Sequence, residues 1–275
     1  MKNFKSIRPL SGTLILLLFI LGGCCTSRQA YRPTPDGRYT LGGKLYTSAW
    51  IQQSAEYKAL CLQAYNIATD RIDRLTAQPQ AGNEKPLAIV TDIDETILDN
   101  TPNSVHEALK GNDFDPSSWT EWCQMAEADT LAGAVTFFRH AAQKGVTVFY
   151  ISNRNEAERD GTLRNLRKYG FPYADDAHLL TKDKSSDKQS RREAVLRDYE
   201  IVMYLGDNLG DFHSIFDSAD PQIRDKALGL FSSEFGHCFI VLPNPNYGKW
   251  QNTMNGGSFD LQTQDQKLLE LLRKH

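Results

Sequence analysis

The sequence predicts an α/β fold, a mainly parallel sheet flanked by helices and carrying a smaller helical, cap-like insertion. Three observations lead there. Short apolar runs rich in branched residues recur at 87–91, 146–151, 201–205 and 239–242. They lack the polar alternation of half-exposed strands, so they read as strands buried on both faces. Stretches with apolar residues at three- and four-residue spacing lie between them, the alternation that produces parallel sheets. Finally, three of the runs end in polar residues, at Asp92, Ser152 and Gly206-Asp207. In such sheets, chemistry collects at the carboxyl ends of the strands.

From the N-terminus, Lys2, Lys5 and Arg8 precede an apolar run at 14–21 and then Gly22, Gly23 and Cys24. That is a secretory signal pattern, too short for a comfortable membrane span. Leu21-Gly22-Gly23-Cys24 also resembles a bacterial lipobox. The resemblance makes 1–23 a lipoprotein signal peptide, Cys24 the lipidation site, and a membrane a partner through the lipid. Residues 24–40 hold Pro33, Pro35 and Gly37 and read as a linker. The remainder, 41–275, reads as one domain with an insertion at about 100–131. Within it, Trp50, Tyr57, Leu60, Ala64, Tyr65, Ala68 and Ile72 predict a helix over 47–76. Further helices are expected at 132–144, ended by Gly145, at 156–168, ended by Gly170, and at 187–198 and 261–272. A short strand is expected at 177–180.

With 31 Lys and Arg against 34 Asp and Glu, the net charge is −3 and no basic stripe stands out. Nucleic acid is therefore not an expected partner. No Cys-x-x-Cys pair occurs, which argues against a thiolate zinc site, and Cys61 and Cys123 read as small buried residues.

The first strand runs straight into Asp92-Ile93-Asp94-Glu95-Thr96. Side chains alternate along a strand, so Asp92 and Asp94 can face one way while Ile93 enters the core. Two carboxylates that close repel each other, and a hard divalent cation offsets this. One carboxylate can then attack phosphorus while the other moves protons. Capping of a following turn is the simpler role for an isolated pair. Ser152 and Asn153 can donate hydrogen bonds to phosphate oxygens. Lys182, Lys184 and Lys188 are each candidates to offset the developing negative charge. Asp207 and Asp211, four apart after the Gly206 turn, share a side if that turn is helical. Trp119, Trp122 and Tyr247 carry rings that can stack on a planar substrate.

Residues 89–100 resemble the first motif of the haloacid-dehalogenase (HAD) superfamily. Their Asp-Glu-Thr continuation resembles its class C acid phosphatases, the outer-membrane lipoprotein e group. Ser152-Asn153-Arg154, Lys188-x-x-Arg191, 206–212 and the tail 242–250 resemble the later motifs. The resemblance implies a Rossmann-like, HAD-type sheet and a Mg²⁺-dependent acid phosphatase or 5′-nucleotidase. In it Asp92 is the nucleophile, Asp94 the acid and base, and Lys188, ahead of Lys184, the catalytic lysine. Asp92, Asp94, Asp207 and Asp211 form the metal set, with Asp94 acting through its backbone carbonyl. Ser152, Asn153 and Lys188 bind phosphate, while Tyr247, Trp119 and Trp122 meet the substrate. Expected partners are small phosphomonoesters such as nucleoside monophosphates, and a second copy as a homodimer. The expected location is the cell envelope, as an outer-membrane lipoprotein facing the periplasm or the surface. Two other readings stand beside it: a phosphotransferase on the same site, and a nucleotide- or haem-binding surface lipoprotein without turnover.

Overall fold

A computed structural model describes residues 36–77 and 85–274. The predicted signal segment, Cys24, Cys25 and most of the predicted linker lie outside the described residues. Two helices come first, α1 (Arg38–Gln53) and α2 (Ala55–Thr76). The predicted single helix over 47–76 is therefore corrected to two. Ser54 is extended, with φ −82° and ψ 140°, and its hydroxyl accepts the Tyr57 N–H at 3.1 Å. A serine that caps a helix start competes with continuing the previous helix. α1 also begins inside the predicted linker. Its first free N–H groups, those of Tyr39 and Thr40, are accepted by Asp265 at 3.1 and 2.7 Å. That partner is far away in sequence.

β1 (Leu87–Thr91) follows, then the short β2 (Leu98–Asp99), α3 (Thr101–Lys110), α4 (Pro116–Met125) and β3 (Asp129–Thr130). β2 and β3 pair antiparallel and close the base of this insertion. α5 (Ala134–Gln143), β4 (Thr147–Ile151), α6 (Arg159–Tyr169), β5 (Leu179–Leu180), α7 (Gln189–Asp198) and β6 (Glu200–Gly206) complete the alternating part. α8 (Pro221–Leu230), β7 (Phe239–Val241), α9 (Lys249–Asn255) and α10 (Leu261–Leu271) finish the chain. α8 and α9 were not expected, although Asp220-Pro221 is an N-cap followed by a first-turn proline.

Five strands form one parallel sheet in the order β5-β4-β1-β6-β7. This is the Rossmann-like α/β arrangement. β1 is central, flanked by β4 and β6, so whatever follows Thr91 emerges at the middle of the carboxyl edge. Burial on both faces explains the apolar runs. Ile89, Val148 and Tyr150 join a large core with Tyr65 of α2 and Phe137 and Phe138 of α5. Ala88, Val90, Phe149 and Ile151 turn to the opposite face against Val195 of α7. Cys61 and Cys123 are 0% and 2% exposed free thiols, as expected for small core residues. Among the described residues, no helix is long and apolar enough to cross a membrane.

The insertion packs on α6 through one close approach. A Cβ at Gly161 would lie 2.2 Å from the Cys123 carbonyl oxygen, so only glycine fits there.

Candidate active site

Two acidic strand ends meet because their strands are neighbours. The Asp92 N–H donates to the Leu205 carbonyl at 2.9 Å, which extends the β1–β6 pairing by one residue. Asp207 leaves β6 directly after Gly206. The chain then makes a 3₁₀ turn, Leu209–Asp211, in which Asp211 Oδ2 accepts the Asn208 N–H at 3.0 Å. A Cβ on Gly206 would sit 2.4 Å from both Cβ and Oδ2 of Asp211. Glycine is what lets the turn fold back on the strand end. Oxygens of Asp92, Asp207 and Asp211 come within 4.8 Å of one another.

One lysine enters this group. Lys188 is the cap residue before α7, 5% exposed, and its Nζ lies 2.6 Å from Asp211 Oδ1 and in direct contact with Asp92 Oδ1. Lys182 is partly exposed and Lys184 exposed. Of the three candidate lysines, Lys188 is the one the fold places against these carboxylates. Burial works against the Lys188 charge, but Asp211 and Asp92 outweigh it and raise its pKa above the ordinary lysine value. Burial pushes the Asp92 carboxyl well up; Lys188 opposes this, while Asp211, Asp207 and Asp94 add to it. Burial and Asp211 lift Asp207 to about 7 against the Asn244 bond and Lys188. Two buried carboxylates, Asp92 and Asp211, and the partly buried Asp207 around one ammonium leave an uncompensated negative charge, and all their donor atoms are oxygens. That donor set suits a hard divalent cation.

Asp94 stands apart from the trio. Its Oδ1 accepts Arg154 Nη2 at 2.7 Å, Arg154 Nε at 3.0 Å and Asn100 Nδ2 at 2.9 Å. Its Oδ2 has only longer contacts, to Arg154 Nε at 3.3 Å and from the Ser152 hydroxyl at 3.4 Å. The side chain of Asp94 is therefore not one of the clustered ligands: a buried guanidinium holds it on the other side. Burial acts against the Arg154 charge, but Asp94 raises its pKa above the usual arginine value. Ser152 is fully buried, and its hydroxyl also accepts the Arg154 N–H at 3.1 Å. Its long bond to Asp94 is one that a phosphate oxygen can replace. Arg191 of α7 donates to the Ser152 carbonyl at 2.6 Å and to Asn153 Oδ1 at 2.8 Å, fixing the end of β4.

The turn that presents Asp94 is strained. Glu95 has φ +55°, is 1% exposed, and holds the Asn100 N–H at 2.9 Å. Burial, with Asp94, Asp207 and Asp99 nearby, pushes its carboxyl well up. Non-glycine residues in this region concentrate at functional sites.

A cavity of about 430 Å³ opens over these groups, with Asp92, Asp94, Asn153, Lys188, Asp207 and Asp211 at one end. Tyr247 and Trp119 line it. Trp122 does not, which corrects its expected substrate role. Its Nε1 donates to Asn100 Oδ1 at 2.8 Å and its ring packs on the core, so it steadies the residue that steadies Asp94. Asn100 and Asn244 were not anticipated. Asn244 donates to Asp207 Oδ2 at 2.8 Å and accepts the Tyr247 N–H at 3.3 Å, coupling the tail to the acidic cluster. Lone asparagines carry no spacing signal; only the Pro-Asn-Pro setting of Asn244 marked it out. The far end of the cavity is lined by Lys44, Asp113, Phe114, Phe259 and Gln264, also unanticipated.

The chain matches the family model described as HAD superfamily, subfamily IIIB (Acid phosphatase), over residues 41–250. It is similar to the structure of the class C acid phosphatase from Bacillus anthracis. The TM-score is 0.80 at 35% identity, covering 86% of this chain and 99% of that chain. A tungstate-bound structure of that protein matches equally well. Acid phosphatase 1 of Solanum lycopersicum is 26% identical over 167 residues, 58% of this chain and 57% of that protein. Stem 31 kDa glycoprotein of Glycine max is 29% identical over 125 residues, 43% of this chain and 49% of that protein. The chain thus spans about half the length of the curated relatives it matches. The family match takes in Asp92, Asp94, Ser152, Lys188, Asp207, Asp211 and Tyr247 together, and on that match the chain belongs to the subfamily IIIB acid phosphatases of the HAD superfamily.

Proposed function

We propose that this chain hydrolyses phosphomonoesters through an aspartyl-phosphate on Asp92, with Mg²⁺ held by Asp92, Asp207 and Asp211, at a bacterial cell envelope. One observation carries the reading. A carboxylate in contact with a buried lysine, Asp92, opens on the same cavity as a second, separately held carboxylate, Asp94. That is the division of labour a double displacement at phosphorus needs.

Lys188, Asn153 and the Ser152 hydroxyl hold the phosphate oxygens. An Asp92 oxygen forms a bond to phosphorus as the bond from phosphorus to the leaving oxygen breaks, and Asp94 gives that oxygen its proton. Asp94 then takes a proton from water, whose oxygen bonds to phosphorus as the Asp92–phosphorus bond breaks. Arg154 and Asn100 keep Asp94 oriented through Oδ1, leaving Oδ2 for proton transfer. The cation supplies charge neutralisation among the carboxylates and on the phosphate. The tungstate-bound neighbour supports an oxyanion site on this scaffold. The envelope location and the lipid on Cys24 rest on the lipobox-like residues.

Hydrolysis of p-nitrophenyl phosphate and of nucleoside 5′-monophosphates, measured with Mg²⁺ and with EDTA, tests the reading. Activity is expected to vanish in EDTA and return with Mg²⁺. Full activity in EDTA removes the metal from the mechanism. Tight substrate binding without turnover in Mg²⁺ makes the chain a binding lipoprotein instead.

A further inference from the structure

We propose that Glu234, His237 and Cys238, in the turn between α8 and β7, form a second metal site, one that takes Zn²⁺ through a carboxylate, an imidazole and a thiolate. The site is separate from the acidic trio, and none of its three residues lines the active cavity. Cys238 Sγ lies 3.0 Å from Glu234 Oε2, and His237 Nδ1 lies 4.0 Å from the same oxygen. One donor atom from each residue falls within 4.8 Å of the others. Ligands on a tetrahedral Zn²⁺ stand roughly 3.3–3.5 Å apart at ordinary bond lengths, so small side-chain rotations close the set. A weak thiol hydrogen bond to Glu234 explains the Cys238 contact but gives His237 no part in it. Nitrogen, sulfur and oxygen together suit a borderline-soft ion such as Zn²⁺, whereas the all-oxygen trio suits a hard one.

The turn that carries these residues is held on several sides. The Glu234 carbonyl accepts the N–H groups of His237, Cys238 and Phe239 at 3.0, 3.0 and 2.9 Å. Gly236, with φ +79°, lets the chain reverse, and its N–H donates to the Phe239 carbonyl at 2.9 Å. The Phe239 ring stacks on Phe212 with centroids 5.0 Å apart and packs against Phe231 and Phe235, which anchors the turn to the body. The Ser233 hydroxyl donates to the other Glu234 oxygen, Oε1, at 3.2 Å. Such support orients a metal-binding carboxylate. His237 is exposed and Glu234 and Cys238 partly so, which leaves a fourth position for water.

Burial and Glu234 push the Cys238 thiol up to about 12, with Arg71 of α2 opposing them, so the metal-free thiol keeps its proton. On binding, an S–Zn bond replaces the S–H bond and the proton leaves to solvent, because a dication deprotonates a coordinating thiol. Cysteine spacing argues against a zinc site built on several thiolates. A single thiolate joined by ligands one and four residues before it leaves no Cys-x-x-Cys signature.

The test uses Co²⁺ as the probe, since a thiolate bound to Co²⁺ gives a charge-transfer absorbance that carboxylates do not give. The full chain is titrated beside its Cys238→Ser variant, and the difference between them cancels the other thiols. A difference band is expected, Zn²⁺ should bleach it, and Asp207→Asn should leave it in place. His237→Ala and Glu234→Gln should each weaken Co²⁺ binding at this band about tenfold or more. No difference band, a band lost in Asp207→Asn, or unchanged affinity in both ligand variants overturns the site. A band that Zn²⁺ does not bleach overturns the choice of metal.

Discussion

At the carboxylate end of the cavity, Arg154, Lys188, Asp211 and Asp92 are 2%, 5%, 6% and 8% exposed, and each touches an opposite charge. Phe114 and Phe259, which line the same cavity, are 51% and 76% exposed, and the polar contact between Gln264 and Asp113 ties α10 to the insertion. The first end is preorganised for charge, where small displacements are costly. The second offers surfaces whose contribution appears only when a ligand covers them. Substitutions at the two ends should therefore separate cleanly, with kcat for every ester at one and KM for ring-bearing esters at the other.

The largest effect is expected from Asp92→Asn, a loss on the order of 10⁴-fold or more in kcat for all esters, since the nucleophile itself is gone. Steady-state kinetics on an aryl and an aliphatic ester check it. A loss confined to one substrate class would break the division between the ends.

Lys188→Met comes next. It leaves Asp92 and Asp211 buried without their cation, so stability should fall by about 3–5 kcal/mol in urea unfolding. The same substitution should lower kcat about 10²–10³-fold. Added Mg²⁺ is expected to recover part of the stability and little of the rate. Full recovery of the rate would reduce Lys188 to a structural counter-charge.

The smallest effect belongs to a residue between the ends. The Trp119 ring lies 5.5 Å from the Arg154 guanidinium and lines the cavity as well. Trp119→Ala should raise KM for aryl esters about tenfold by the lost stack. It should also lower kcat a few-fold by loosening the arginine that orients Asp94. A change in KM alone would place Trp119 wholly at the recognition end.

Much of the carboxylate end was legible because its residues follow buried strands. A run such as Ile89-Val90-Thr91 has one period and one use, and the carboxylates at its end cannot be core. The parallel order then brings Asp92 and Asp207 together although 115 residues separate them. The choice among three lysines was legible only by resemblance. It is decided in space by α7, whose cap residue is carried to the edge of β1 and β6. Trp119 and Trp122 look alike in sequence, three apart in one insertion. On α4 one faces the cavity and the other Asn100, because helical neighbours at that spacing still diverge once a partner donor or acceptor claims one of them.

The alternating strands and helices, the acidic pairs at two strand ends and the Ser152 turn can be read from the residues alone, since these depend on local pattern and the pleat of a strand. The rest came from packing between elements. The start of α1 on Asp265, the hold of Arg154 on Asp94 and the placing of Phe259 over the cavity all depend on partners distant in the chain. Hydrogen bonds and ion pairs between such partners leave no period in a sequence, because their energy exists only once packing has brought them within reach.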